Sequence, residues 1–249
     1  MTGAKPALDP CSLVHITSQG KGGVGKSMVA CLLAQYLQEK EYAVSCFDTD
    51  PTNATLSHFE GLNVTHVSVT EGNAVDIRKF DDVANRIVNE DGPFVVDTGA
   101  TIFLPFWDYV GQNGLIEFFA GHKKRVIVHC PVMGGQELPD TVAGLAAICK
   151  MVPEQAVVVW LNSFHGAVKN EDAKPFEEFG VMREHGDKIL GIVRLSDDNT
   201  SLRGVALRDL MRTNRTFQEA MDGTRDVIGR HRLHSIRLCL WQQLEAILS

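Results

Sequence analysis

The run Gly20-Lys21-Gly22-Gly23-Val24-Gly25-Lys26-Ser27 fits the spacing G-x-x-x-x-G-K-[ST] of a phosphate-binding loop. The residue types dictate the chemistry. Glycines let successive backbone N–H groups turn inward around an anion, and the helix that follows adds the positive end of its dipole. Lys26 neutralises the terminal phosphates, and the Ser27 hydroxyl is a ligand for Mg²⁺. One lysine satisfies the motif. A second, Lys21, stands between two glycines at the front of the loop, where its side chain cannot readily fold back onto a phosphate held by the same loop.

Three carboxylates end apolar runs. "FVVD" places Asp97 where a phosphate-loop protein holds its metal, with a turn-capping aspartate as the plainer alternative. "FDTDP" supplies Asp48 and Asp50, whose spacing in an extended segment points both to one side. Two negative charges beside a triphosphate require divided roles, so Asp48 is assigned to the metal and Asp50 to the attacking water. "AVVVWLN" ends at Asn162, in the place where guanine-reading proteins carry N-K-x-D. Here that place holds "WLNSF". An amide that donates and accepts matches adenine, and a turn-forming asparagine explains the residue equally well. The predicted site has Lys26 and Asp50 as catalytic groups. Gly20, Gly22, Gly23, Val24, Gly25, Lys26, Ser27, Met28 and Asn162 bind ATP, and Ser27, Asp48 and Asp97 support the metal. Its cofactors are ATP/ADP and Mg²⁺.

These residues need a frame. "SLVHIT" reads as a strand ending at the loop, and "SMVACLLAQYLQEK" as a helix with Val29, Leu32, Leu33, Tyr36 and Leu37 on one face. "YAVSCFD", "GPFVVD", "RVIVHCPV", "AVVVWLN" and "KILGIVRL" read as further strands, separated by helical stretches such as "QELPDTVAGLAAICKMV". Runs apolar on both faces and alternating with helices predict an α/β fold: one phosphate-loop domain over 1–249, with a mostly parallel sheet flanked by helices on both faces. The C-terminal helical part is expected at about 198–249. Residues 163–188 are polar and predict a surface excursion with a short helix.

With 249 residues the chain suffices for one substantial core. No apolar run approaches the roughly 20 residues that span a bilayer, and the opening MTGAKPALDP lacks the apolar core of a leader, so the expected location is cytoplasmic. The six cysteines are scattered singly without a C-x-x-C pair, which predicts reduced core residues rather than disulfides or zinc ligands. His231 and His234, one helical turn apart, read as a solvated face. A net charge of −7 argues against a protein that coats nucleic acid with its whole surface. From residue 201 onward, however, eight arginines face five acidic residues.

"KGGVGKS" followed by "DTDP" resembles the deviant Walker A ATPases, the family of the ParA and MinD partitioning and positioning proteins and of nitrogenase iron protein. The resemblance implies a homodimer in the ATP state, in which Lys21 reaches the phosphates held by the other subunit and acts as a finger in trans. "DTDPTNAT", "VVDTGA", "GGQELPDTVAGL" and "VVVWLN" are similar to ParA-like ATPases encoded in plasmid conjugal-transfer regions. This implies conjugation-machinery partners. Where the family usually carries a proline soon after the strand-end aspartate, this chain has "DTGATIF", which predicts slow hydrolysis. Cys130 has no partner at the spacing of an iron–sulfur cluster.

Partner surfaces have competing readings. Arg208, Arg212 and Arg215 are spaced to share a helix face and could hold DNA phosphates, as in ParA relatives, or form a solvated, ion-paired face. Leu233, Ile236, Leu240, Leu244 and Ile247 form an amphipathic C-terminal helix that either docks on a membrane or closes the domain. Phe103, Phe106 and Trp107 read as a buried helix start or as a dimer or effector surface.

Overall fold

The computed structural model describes residues 8–71, 74–170, 172–195 and 200–249. Most of the opening stretch read for a leader lies outside them, as does the expected start of the C-terminal helical part at 198. The strands are β1 (Leu13–Thr17), β2 (Ser45–Asp48), β3 (Val64–His66), β4 (Thr70–Glu71), β5 (Ala74–Val75), β6 (Phe94–Asp97), β7 (Arg125–Met133), β8 (Val157–Asn162) and β9 (Ile189–Leu195). The helices are α1 (Lys26–Glu39), α2 (Phe80–Asn89), α3 (Phe103–Gln112), α4 (Leu115–Gly121), α5 (Leu138–Cys149), α6 (Gly180–His185), α7 (Leu202–Arg212), α8 (Phe217–Asp222) and α9 (Val227–Leu248).

Seven strands form one sheet in the order β3-β2-β6-β1-β7-β8-β9, with every neighbouring pair parallel. Every residue of β1, β6 and β8 is buried, because helices cover both faces. Val14, Ile16, Val96 and Val128 pack toward α2, α3 and α5, while Leu13, Val95, Ile127 and Val158 pack toward α1 and α9. The register lines up the strand ends: Thr17 lies beside Asp97 on one side and His129 on the other, and Asp48 lies beside Asp97. Carboxylates scattered along the chain therefore meet at one edge, beside the loop that leaves β1, where ligands of parallel sheets bind.

All six strands read from apolar runs are present. β3 and the antiparallel β4–β5 hairpin are additions. β3 escaped notice because an edge strand this short, with two exposed residues in "VTH", carries no apolar run. The 163–188 excursion is less superficial than expected. It holds α6, but Phe176 and Val181 are buried in the core, and a Cβ at Gly134 would overlap the Gly166 carbonyl.

Several surface readings are settled by packing. Ile236, Leu240 and Leu244 of α9 are buried against the sheet side occupied by α1, so this helix closes the domain and its apolar face is covered. Among the described residues, no helix is long and apolar enough to cross a membrane. Phe103, Phe106 and Trp107 are 8%, 3% and 3% exposed, which removes them as a docking surface. They are the buried start of α3, and the Trp107 indole donates to the Ser18 hydroxyl at 3.0 Å. Arg208, Arg212 and Arg215 do not share a helix face. α7 ends at Arg212, which pairs with Asp209, and Arg215 follows a left-handed Asn214. His231 and His234 are exposed on α9. Among the described residues all six cysteines are free, with Cys11 and Cys239 exposed rather than in the core.

The sheet centre holds a polar chain. The Trp160 indole donates to His129 Nδ1 at 3.0 Å, and His129 Nε2 lies 2.9 Å from His15 Nδ1. With the indole only a donor, His129 must carry its proton on Nε2 and donate to His15. Among the described residues, His15 Nε2 is buried without a partner. Burial lowers the His15 pKa to about 4. Between that value and the unfolded value near 6.5, the unfolded chain binds a proton that the native chain refuses, so stability is lost as pH falls through 6.5 and levels off below about 4. Relative to His15→Phe, the wild type is expected to lose about 3 kcal/mol between pH 7 and pH 4. Urea unfolding of both chains across that range checks it, and parallel pH dependences would refute it.

Candidate nucleotide site

The loop after β1 is built by backbone freedom at defined points. Gly23 and Gly25 have φ of 75° and 102°, in the left-handed region that favours glycine, and Gly25 is the residue from which α1 starts. A Cβ on Gly25 would also meet the Asn162 amide nitrogen at 3.1 Å. The loop opens on a cleft of about 550 Å³. Gly22, Gly23, Gly25, Lys26, Ser27 and Met28 form one wall, together with Asp50 and Asn162. Leu195, Leu207, Arg208, Met211 and Leu240 also line it, so Arg208 borders the cleft.

Two of the loop positions predicted to bind ATP are not on the cleft wall. Gly20 packs against the Phe103 ring, and its N–H donates to Gln19 Oε1 at 2.9 Å. Val24 is buried, and its carbonyl accepts from Asn162 Nδ2 at 3.2 Å. Asn162 Oδ1 accepts the Phe164 N–H at 3.1 Å, so this amide closes a turn and braces the loop as well as lining the cleft.

The three carboxylates differ sharply. Asp97 is fully buried: its Oδ1 accepts the Thr17 hydroxyl at 2.6 Å, Ser27 lies beside it, and among the described residues Oδ2 has no hydrogen-bond partner. Burial pushes its pKa up to about 7 against the opposing pull of the Ser27 and Thr17 hydroxyls. Asp48 Oδ2 accepts the Ser57 N–H at 2.9 Å and the Ser57 hydroxyl at 3.1 Å, and burial raises its pKa as well. Asp50 Oδ1 accepts the N–H groups of Thr52 and Asn53 at 2.8 and 3.1 Å. Gly99 leaves room for it, since a Cβ there would stand 2.7 Å from the Asp50 carboxyl carbon.

The two lysines also part company. The Lys26 ammonium is buried and donates to the Lys21 carbonyl at 3.2 Å. Burial lowers its pKa, partly offset by the charges of Asp97 and Asp50. Lys21 points the other way, 2.8 Å from Asp140 in the first turn of α5, and that contact raises its pKa. Hard oxygen donors around an orphaned, buried carboxylate oxygen fit a small divalent cation such as Mg²⁺. Ser27 and Asp97 would hold it directly or through water, with Asp48 in the neighbouring strand position.

Sequence reasoning missed the residues that hold these groups: Thr17, Gln19, Thr49, Ser57, Thr98, Gly99 and Asp140. One signal was available. The dipeptide Asp-Thr ends both "CFDT" and "VVDT", and the two hydroxyls stitch adjacent strands, Thr49 to the Asp97 carbonyl and Thr98 to the Thr17 carbonyl, each at 2.7 Å.

Residues 15–229 match the family model for the CobQ/CobB/MinD/ParA nucleotide binding domain. The chain belongs to this family. Two Escherichia coli proteins named Protein TraL are each 33% identical to it, one over 234 residues that cover 93% of this chain and 97% of the relative, the other over 235 residues that cover 94% and 97%. Among solved structures, the MinD cell division protein of Aquifex aeolicus superposes with a TM-score of 0.55 at 15% identity, covering 94% of this chain and 96% of that one. As a MinD/ParA-type domain, the chain carries its phosphate loop, strand-end aspartates and all-parallel sheet in the arrangement of a nucleotide-binding protein.

Proposed function

We propose that the chain is a cytoplasmic, Mg²⁺-dependent ATPase that pairs with a second copy around ATP and serves as a slow, nucleotide-controlled switch in plasmid conjugation. The observation that carries the dimer is the placement of Lys21: its ammonium lies outside its own cleft, on Asp140, while Lys26 is the lysine of the loop that lines the cleft. Similarity to the TraL proteins over nearly the whole chain supports the conjugation setting and partners in that machinery.

In this reading the N–H groups of Gly22 to Met28 cradle the phosphates, and Lys26 neutralises the γ-phosphate. Asn162 offers its free amide proton to adenine. Ser27 and Asp97, with support from Asp48, would hold Mg²⁺, which would supply positive charge to the phosphates. Asp50 orients the attacking water and takes its proton, and Lys21 of the second copy stabilises the charge leaving toward ADP.

Lys21→Ala is expected to retain ATP binding and to lose both dimer formation and hydrolysis. Size-exclusion chromatography with ADP and with a non-hydrolysable ATP analogue, alongside phosphate release, checks this, and unchanged turnover in the variant would defeat the role in trans. Gly99→Ala has an ordinary φ for alanine, so its effect is confined to crowding Asp50. A drop in turnover of at least about tenfold, with ATP affinity within about threefold, is the expected result.

A second reading, a module that holds nucleotide without turning it over, draws on the Asp50 oxygen already accepting two N–H groups of its own turn. Single-turnover hydrolysis separates the two, because only the ATPase releases phosphate from bound ATP.

A further inference from the structure

Gln19 immediately precedes the phosphate loop and is 1% exposed. Its amide is fully used. Nε2 donates to the Pro131 and Thr141 carbonyls, each at 3.0 Å, and touches Cys130 Sγ at 3.4 Å, while Oε1 accepts the Gly20 N–H at 2.9 Å. The space it occupies is reserved, because a Cβ on Gly144 of α5 would overlap Oε1. Thr141 in turn fixes the first turn of α5, its hydroxyl accepting the Met133 N–H at 3.2 Å and donating to the Glu137 carbonyl at 3.0 Å.

The placement has a specific consequence. Gly20 is the neighbour of Lys21, and Thr141 is the neighbour of Asp140, so one buried amide ties together the residues adjacent to both members of the Lys21–Asp140 ion pair. That ion pair is exposed, and an exposed pair between two free side chains is weak because water screens it and both chains lose rotamer freedom. Anchoring both backbones removes most of that entropy loss. Without the anchor, Gly20 and Gly22 leave the peptide units around Lys21 free to rotate.

We propose that Gln19 is a positioning residue that sets the direction of Lys21 by locking the entry of the phosphate loop to α5. It acts through Lys21 and not on the phosphates: Gln19 is absent from the cleft wall, and the N–H it binds is that of Gly20, which is also off that wall. For turnover the proposal rests on the role of Lys21 in trans, whereas the geometry of Lys21 in the isolated chain does not need it.

Two variants test it without touching the residues that line the cleft. Gln19→Met keeps the length of the side chain and removes its hydrogen bonds, and Gly144→Ala displaces the amide while leaving the loop sequence intact. In the nucleotide-free protein, acylation of Lys21 by an amine-reactive ester, read by mass spectrometry below the melting temperature of each chain, is expected to rise several-fold in both variants. Lys150, exposed at the far end of α5, should label at the wild-type rate, which a general loosening of the fold would not allow. For turnover, kcat should fall by about tenfold with KM for ATP within about threefold, and Gln19→Met should add nothing in a Lys21→Ala background. Unchanged labelling of Lys21 in both variants, or a multiplied loss in the double variant, overturns the proposal. A wild type that never hydrolyses ATP counts against the ATPase reading alone, because the labelling still decides the role of Gln19.

Discussion

An Asp97→Asn chain is expected to unfold at higher temperature than the wild type at pH 8 in the absence of nucleotide, and to lose the stabilisation that Mg²⁺ with ATP confers. Asp97 is fully buried with one oxygen unpaired among the described residues, and its pKa is pushed up to about 7 from an ordinary 3.8. A carboxyl raised in this way holds its proton in the native chain at pH values where the unfolded chain has released it. Its native state is therefore favoured at low pH and loses stability as pH rises from about 4 to about 7, after which the full penalty remains. A shift of about 3 pH units corresponds to about 4 kcal/mol at most, and the asparagine avoids this cost above pH 7. The unpaired amide proton it introduces takes part of the gain back. Thermal unfolding of both chains at pH 5 and pH 8, with and without Mg²⁺ and ATP, reads all four corners. Should the variant be no more stable than the wild type at pH 8, the buried charge is not the strain described here. Should Mg²⁺ with ATP stabilise both chains equally, Asp97 does not support the metal.

Lys26→Ala carries the other large effect. The Lys26 ammonium is buried at the bottom of the loop, and burial already disfavours its charged form. Its removal should not lower the stability of the nucleotide-free chain, yet under the proposed function it deletes the cation that meets the phosphates. A hydrogen bond to a charged group is worth up to about 3 kcal/mol, which converts to roughly a hundredfold loss of ATP affinity. Isothermal titration at fixed Mg²⁺ measures it, and an affinity within threefold of wild type would place the phosphates elsewhere. Lys21→Ala and Lys26→Ala are thus expected to have opposite signatures: the first spares binding, the second weakens it.

Much of the site was legible because its parts are contiguous or carried by strong periodicity. The glycine spacing, the strand before it and the helix after it are local, and their dihedral demands fall on Gly23 and Gly25, where glycine is favoured. Strand-end aspartates could be brought together on paper because all-apolar strands alternating with helices admit few arrangements other than a parallel sheet. The readings that stayed open or were overturned concern residues whose meaning depends on what lies opposite. Phe103, Phe106 and Trp107 have the same composition whether they meet the core or a partner. Arg215 lost its place beside Arg208 through a single left-handed residue, Asn214, that ended α7.

By itself, then, the amino-acid sequence determined the class of fold, the phosphate loop, the carboxylates available to it and the surplus lysine, since each follows from backbone freedom or from periodicity within one segment. Only the tertiary structure decided which oxygen of Asp97 is orphaned, that Lys21 rests on Asp140, that Arg208 borders the cleft and that Gln19 joins the loop to α5. The hydrogen bonds among these relations span from 80 to 122 residues of chain, with Gln19 and Thr141 the widest pair, and exist only once the sheet order has placed β1 between β6 and β7. Burial, which raises the pKa of Asp97 and lowers that of Lys26, is a property of that assembled packing and of no single segment.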